Sequence, residues 1–421
     1  MATLKKYLVR PENFRDSCAV FPMDRYFMTT LLRRSHPLKA RLLLCRREWL
    51  LLLATLCLTS PLAAQISAST TDPVGLYKLG AYDGSGNYQG LLSNSDTFIA
   101  MPFTRPPEFI GTIQSVSSNV VTVNGVPGWA VGQFVYNSGT QPKTYYALLG
   151  ANSTGSANPK EGCLYTVTAN AVNTLTLNLD GDSLGSVPAN SQITLIPYWT
   201  LATVFPATNA SVSFTATTST RTFKTQLLIP DYAGVGVNLA TSATYYFISN
   251  GSNVGWRLFN DATTVDHGND ILLPNTYFIV RNSNSAPTLP LLVTGNVLTK
   301  KVTTPLATLA SSSQDNMVAM IRPIDVSLNN CGLNPTDGSF VATTSTRSFK
   351  DQLFVYNNAQ VAFNKSPVAT YYYMNGAWRL FNDAPTVDHG TDVIAAGNPI
   401  LIRKAATGTG LTAFWINSPT Y

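Results

Sequence analysis

Charge is scarce in this chain. Asp, Glu, Lys and Arg make up 12% of its 421 residues, roughly half the share usual for a soluble domain. The little charge present is uneven: eleven of the 28 Lys+Arg but four of the 22 Asp+Glu precede Gln65, leaving 17 against 18 beyond it. The net charge of +6 thus belongs to the first 64 residues. No basic stripe remains to neutralise phosphates, so a nucleic-acid partner is excluded. Histidine is rarer still, with three in all, and one of them is His36 near the start. No Walker loop, dinucleotide fingerprint or zinc spacing occurs, and beyond residue 64 no third histidine is left over for a separate hydrolytic site. Of the five cysteines, Cys18, Cys45 and Cys57 lie before Gln65. Cys163 and Cys331 are far apart without metal-ligand spacing and read as unpaired thiols, with a single bridge as the alternative. No segment sustains an apolar period of 3.6, which leaves little room for helix.

Thr, Ser and Asn supply the polarity instead, alternating with apolar residues in short runs bounded by Gly, Asn and Pro. That pattern suits strands and turns, so the fold class is all-β. Residues 1–64 are set aside as a leader. Arg41, Arg46 and Arg47 precede the apolar run at 49–58, and Pro61-Leu-Ala-Ala64 offers small residues for cleavage, which together read as a signal peptide. The run is too short to span a bilayer as a mature helix. Export to the periplasm, cell surface or medium is the expectation, with no stable transmembrane segment after cleavage.

What is abundant is self-similarity. Ala216-Thr-Thr-Ser-Thr-Arg-Thr-Phe-Lys returns as Ala342-Thr-Thr-Ser-Thr-Arg-Ser-Phe-Lys, and Trp256-Arg-Leu-Phe-Asn-Asp261 as Trp378-Arg-Leu-Phe-Asn-Asp383. Asp96-Thr-Phe-Ile-Ala-Met to Arg105-Pro106 has a shorter counterpart in Asp315-Asn-Met-Val-Ala-Met to Arg322-Pro323. Identity this dense at a fixed offset marks one unit used twice. From Pro106 to Ala216 the chain runs 110 positions, against 19 from Pro323 to Ala342. The excess, about the size of a small domain, reads as an insertion. The predicted architecture is two tandem homologous β-sandwich or barrel modules. Module A covers 71–109 plus 199–300 and module B 301–421; a small barrel-like β-domain at 110–198 interrupts the first. Within the insert, strands are expected around Ser117-Ser118, at Gln133–Tyr136 and in four later runs, with Asn124-Gly125 as a tight turn.

The Thr71-Thr-Asp-Pro-Val-Gly start, Pro102-Phe-Thr-Arg-Pro-Pro-Glu-Phe109, Ile196-Pro-Tyr-Trp-Thr200 and the Asp-His-Gly turns together resemble an uncharacterised family of exported, mostly verrucomicrobial proteins. The resemblance spans nearly all of 71–421. It implies export and the duplicated architecture, and it carries over no catalytic or binding residue.

The two later histidines, His267 and His389, stand at matched positions within Asp266-His-Gly-Asn-Asp270 and Asp388-His-Gly-Thr-Asp392. Asp261 and Asp383 precede them. Carboxylates gathered on a turn suit a hard cation, so Asp261, Asp266, Asp270, Asp383, Asp388 and Asp392 are calcium candidates. A histidine beside a carboxylate suits a base or a metal ligand. Neither the EF-hand spacing nor the calcium nonapeptide is present, however, and Asp near Gly is ordinary turn chemistry. No other cofactor is implied. Among the aromatics, Tyr246 and Tyr372 sit mid-trio. Facing outward they would stack on a sugar; cross-strand pairing within the sheet is the plainer outcome. Alternation assigns Trp256 and Trp378 to the core, with Arg257 pairing to Asp261 and Arg379 to Asp383 across the turn. These features favour an exported, non-enzymatic structural or surface-binding protein whose partner is a glycan or an envelope protein. The alternatives are a carbohydrate-binding protein and a glycan-active hydrolase, whose carboxylate pair only a fold could assemble.

Overall fold

The computed structural model describes residues 73–208 and 212–421; the leader expected at 1–64, with its apolar run, lies outside them. Among the described residues the regular structure is nearly all strand. The helical turn Leu201–Val204 and the 3-10 turn Leu328–Asn330 are the exceptions, and no helix is long and apolar enough to cross a membrane.

Two five-stranded antiparallel sheets carry the repeated segments. From one edge the first runs Asn253–Leu258, Thr241–Asn250, Thr225–Pro230, Tyr277–Asn282 and Ser95–Ala100. The second runs Ala377–Leu380, Ala369–Met374, Gln352–Val355, Ile400–Lys404 and Gln314–Val318. The order is the same in chain terms, and so are the registers. Gln226 faces Arg281 as Gln352 faces Arg403, and Tyr246 faces Arg257 as Tyr372 faces Arg379. β-Branched and aromatic residues at alternate positions give each sheet a face that must be covered. Trp256 fills the first core against Phe205, Phe214 and Phe247. Trp378 fills the second against Phe340 and Tyr373. Both indoles are buried, as the alternation implied.

Between the first two strands of the first sheet in chain order, the chain makes a closed six-stranded barrel from Phe109–Ser117, Val120–Val123, Tyr145–Asn152, Leu164–Asn170, Thr174–Asn178 and Ser191–Pro197. Ile113, Val121, Leu175, Leu177, Ile193 and Leu195 fill its interior. Phe109 pairs with Leu195, so the chain enters and leaves the barrel side by side. That is the geometry in which an insertion leaves its host core alone. The turns fall where the sequence placed them, with Ser118 and Gly125 in the left-handed region. One expected strand is absent. Residues 133–136 form turns and bends, because Phe134 drops into the barrel between Trp129 and Tyr145, ring centroids 5.1 Å from each. Cys163 and Cys331 are buried free thiols.

Candidate functional site

The repeated turns are built from the end of one strand. After Leu258 the chain needs a left-handed residue, which Asn260 provides at φ 67°; Asn382 does the same at φ 68° in the second sheet. Asn tolerates that region better than most side chains. The reversal sends Asp261 back over the turn, where one carboxylate oxygen accepts the Ala262 N–H at 2.6 Å. The other accepts His267 Nε2–H at 2.9 Å. On the far side of the ring, Nδ1–H donates to Asp270 Oδ2 at 2.9 Å. The same oxygen accepts the Tyr245 hydroxyl, also at 2.9 Å. The second copy repeats every partner: His389 lies between Asp383 and Asp392 at 2.9 Å on both nitrogens, and Tyr371 donates to Asp392 at 2.9 Å.

A carboxylate only accepts, so both ring nitrogens must donate and the imidazole is held as the cation. Burial by itself would favour the neutral ring. The hydrogen bonds and charges of the two flanking carboxylates outweigh it and raise the pKa of both histidines. Asp261 and Asp383 are correspondingly held below the usual carboxylate range, first by the Ala262 and Ala384 N–H groups and then by the imidazolium. Burial, together with the Asp270 and Asp392 carboxylates, pushes the Tyr245 and Tyr371 phenols up. Each turn also starts a helical turn. Carbonyls of Gly268 and Asp270 accept from Ala202 and Leu201, and those of Gly390 and Asp392 from Asn329 and Leu328.

The histidines and four of the six calcium candidates therefore come together, but around a proton-bearing ring rather than an open position. Asp261 and Asp270 lie on opposite sides of the imidazole. Asp266 turns away to accept the Trp256 N–H at 2.9 Å and Arg257 at 3.4 Å, and Asp388 accepts the Gly390 N–H. Among the described residues no group of three or more His, Cys, Asp or Glu is placed to hold a metal ion. The expected Arg257–Asp261 and Arg379–Asp383 pairs do not form. His267 and His389 occupy those carboxylates, and Arg257 reaches the Thr263 carbonyl and Asn253 instead.

Nor do Tyr246 and Tyr372 offer outward rings. They are 3% and 2% exposed, because Phe223 and Phe349 fold over them with centroids 4.6 and 4.8 Å away. In these two ring clusters the exposed members are Phe259 and Phe381, at 47% and 45%, each edge-on to that covering phenylalanine. The sequence carried the signal in the fourth residue of both Trp-Arg-Leu-Phe stretches. Among the described residues, two concavities show no facing carboxylate pair either. The one lined by Thr308, Lys404 and Phe414 has Asp337 as its acid, and the one between the sheets has Asp315, which Arg403 grips.

No family model, no curated protein and no solved structure matches this chain.

Proposed function

We propose that this chain is an exported, non-enzymatic structural or surface-binding β protein, built from a copied unit whose Asp-His-Asp turn serves as a fold lock. The observation that carries the reading is the closure of both imidazoles. Each ring nitrogen meets a carboxylate, so neither histidine keeps a lone pair for a substrate proton or a metal. The matched sheet order and the resemblance to exported proteins support the duplication and the destination. The test is a panel of glycan and ester substrates applied to the purified chain and to a His267→Gln/His389→Gln variant. The expected result is no turnover from either and a lower melting temperature for the variant. Turnover that the double substitution abolishes would overturn the reading.

A second reading, carbohydrate binding, draws on the paired exposed rings of Phe259 and Phe381, since flat apolar faces suit sugar stacking. It predicts retention on a glycan column that weakens in Phe259→Ala and Phe381→Ala.

A further inference from the structure

Among the described residues, Arg322 is the arginine whose three guanidinium nitrogens are all buried without a partner; Arg379 shares this at Nε alone. Arg322 is 3% exposed, and Nε, Nη1 and Nη2 all lack a hydrogen-bond partner. The matched Arg-Pro step in the first copy is provided for. Arg105 donates to the Tyr198 carbonyl at 3.3 Å and lies over the Trp199 ring at 6.0 Å, with Glu108 nearby. Around Arg322 the titratable neighbours are the Tyr421 phenol and the Cys331 thiol. Burial pushes the thiol up to about 11 and raises the phenol as well, so both are neutral near pH 7 and neither offers a counter-charge. Desolvation disfavours the charged guanidinium, yet arginine does not give up its proton in a protein. A buried charge without a partner is strongly destabilising, and natural folds meet it with an anion or a set of polar groups.

The surroundings place this charge close to solvent. Ile321, one residue before it, packs against Tyr146, Tyr198, Leu298 and Val302 at the barrel wall. Ile324, two residues after it, is exposed. Tyr421 is half exposed and is tethered by its hydroxyl to the Leu298 carbonyl at 2.8 Å. A half-exposed, tethered side chain thus stands near the guanidinium.

We propose that Arg322 is the anchor of a binding site for one small oxyanion group, a carboxylate or a phosphate, admitted past Tyr421. The planar fork of donors matches two oxygens of such a group, which a halide cannot bridge. The near-neutral charge of the chain beyond residue 64 fits a single anionic group better than a polyanion such as nucleic acid. Phosphate and carboxylate share this chemistry, and a carboxylate could be free or borne on a sugar.

Thermal unfolding and titration calorimetry of the full chain would compare sodium phosphate, sodium acetate and sodium galacturonate with sodium chloride at equal ionic strength. The expected result is a saturable rise in melting temperature and measurable heat with at least one oxyanion, and none with chloride. Phosphate alone, acetate and galacturonate together, or galacturonate alone would identify the group as phosphate, any carboxylate or a sugar acid. Arg322→Met should lose the response while melting no lower than the wild type in chloride, because the uncompensated charge is gone. Arg322→Lys, which keeps the charge without the fork, should weaken binding by about ten-fold or more; it also serves if the Met variant fails to fold. No oxyanion response in the wild type, or a response that survives in Arg322→Lys undiminished, would overturn the proposal.

Discussion

The Asp96 carboxylate, in the edge strand of the first sheet, accepts a 2.7 Å hydrogen bond from the backbone N–H of Asn364, which follows a strand of the second. Asp315 stands in the same relation to Asn238 at 2.7 Å. Each aspartate is gripped at both oxygens by an arginine across its own sheet, Arg281 for Asp96 and Arg403 for Asp315. Each arginine then reaches the side-chain oxygen of the same asparagine. Asn238 and Asn364 are both left-handed, and the backbone two residues earlier caps the edge, Gly236 for Asp315 and Ala362 for Asp96. The two sheets therefore exchange equivalent loops about an approximate two-fold relation, as the subunits of an isologous dimer do. An exposed sheet edge invites aggregation, and here each sheet covers the edge of the other.

Removing one aspartate leaves an arginine with its asparagine oxygen as the remaining acceptor and loosens the loop that covers the sheet edge. Asp96→Ala or Asp315→Ala should each cost about 3 kcal/mol, near the lower end for breaking a buried ion pair, because Arg281 and Arg403 keep partial contact with water. Their side chains are 27% and 24% exposed. Urea unfolding would measure this, and aggregation should rise as each exposed edge becomes available. Two equal losses that add in the double variant would show independent clasps; a double loss well below the sum would show that breaking one already releases the other.

The histidine turns predict a pH profile. A raised histidine pKa means that the lock contributes fully below the unfolded value of 6.5 and is lost as pH rises through the higher folded value. The lowered pKa of Asp261 and Asp383 acts in the opposite sense: their contribution is present above the ordinary carboxylate value of 3.8 and is lost as pH falls through the lowered one. The melting temperature should therefore be highest in mildly acidic solution and fall on the alkaline side. In His267→Gln/His389→Gln the alkaline fall should flatten. A wild-type curve that keeps rising through pH 8 would contradict the imidazolium assignment.

The sheet pairing supplies its own control for a buried charge. At the step where the first sheet joins Thr225 to Asn282 through a 2.7 Å hydrogen bond, the second joins Asp351 to Lys404, both essentially unexposed. Asp351 also accepts the Val341 and Ala405 N–H groups, and Lys404 also donates to the Ser339 carbonyl. Asp351→Thr alone should destabilise by about 3–5 kcal/mol, because it strands a buried ammonium. Adding Lys404→Asn restores the neutral pair already used in the other sheet and should recover most of that loss. Chemical denaturation of the two singles and the double closes the cycle.

How much of this was legible depended on distance along the chain. The His267 cluster lies within ten residues, so the sequence brought Asp261, His267 and Asp270 to one turn. It could not rank Arg257 against His267 as the partner of Asp261. That choice is made by the left-handed Asn260, which aims the carboxylate at the ring. Alternation separated Tyr246 from its two neighbours, but it could not say which faces are covered; the loop carrying Phe223 decides that. Asp96 and Asn364 are 268 residues apart, and no local pattern announces such a contact. Arg322 is the opposite case, since its residue pattern matches Arg105 and only packing separates a partnered guanidinium from an orphaned one.

Two glycines with the same backbone separate strain from crowding. Gly332 and Gly338 both lie in the left-handed region, at φ 84° and 79°. An alanine in that region costs about 1–2 kcal/mol whatever surrounds it. Around Gly338 an added Cβ meets nothing within 4 Å, so Gly338→Ala should cost no more than that strain. At Gly332 the Cβ would sit 2.1 Å from the Ile416 carbonyl oxygen. Neither side can yield readily, because the contact is backbone to backbone. The Cys331 carbonyl beside it also holds the Trp415 indole at 2.8 Å and the Asn417 amide at 3.2 Å. Gly332→Ala should therefore push the Ala413–Asn417 strand off its partner and lower stability by clearly more than Gly338→Ala. It should also release that strand early to hydrogen exchange. Equal losses at the two positions would mean that the strand gives way without resistance, and the close approach of Gly332 to it would then carry no structural weight.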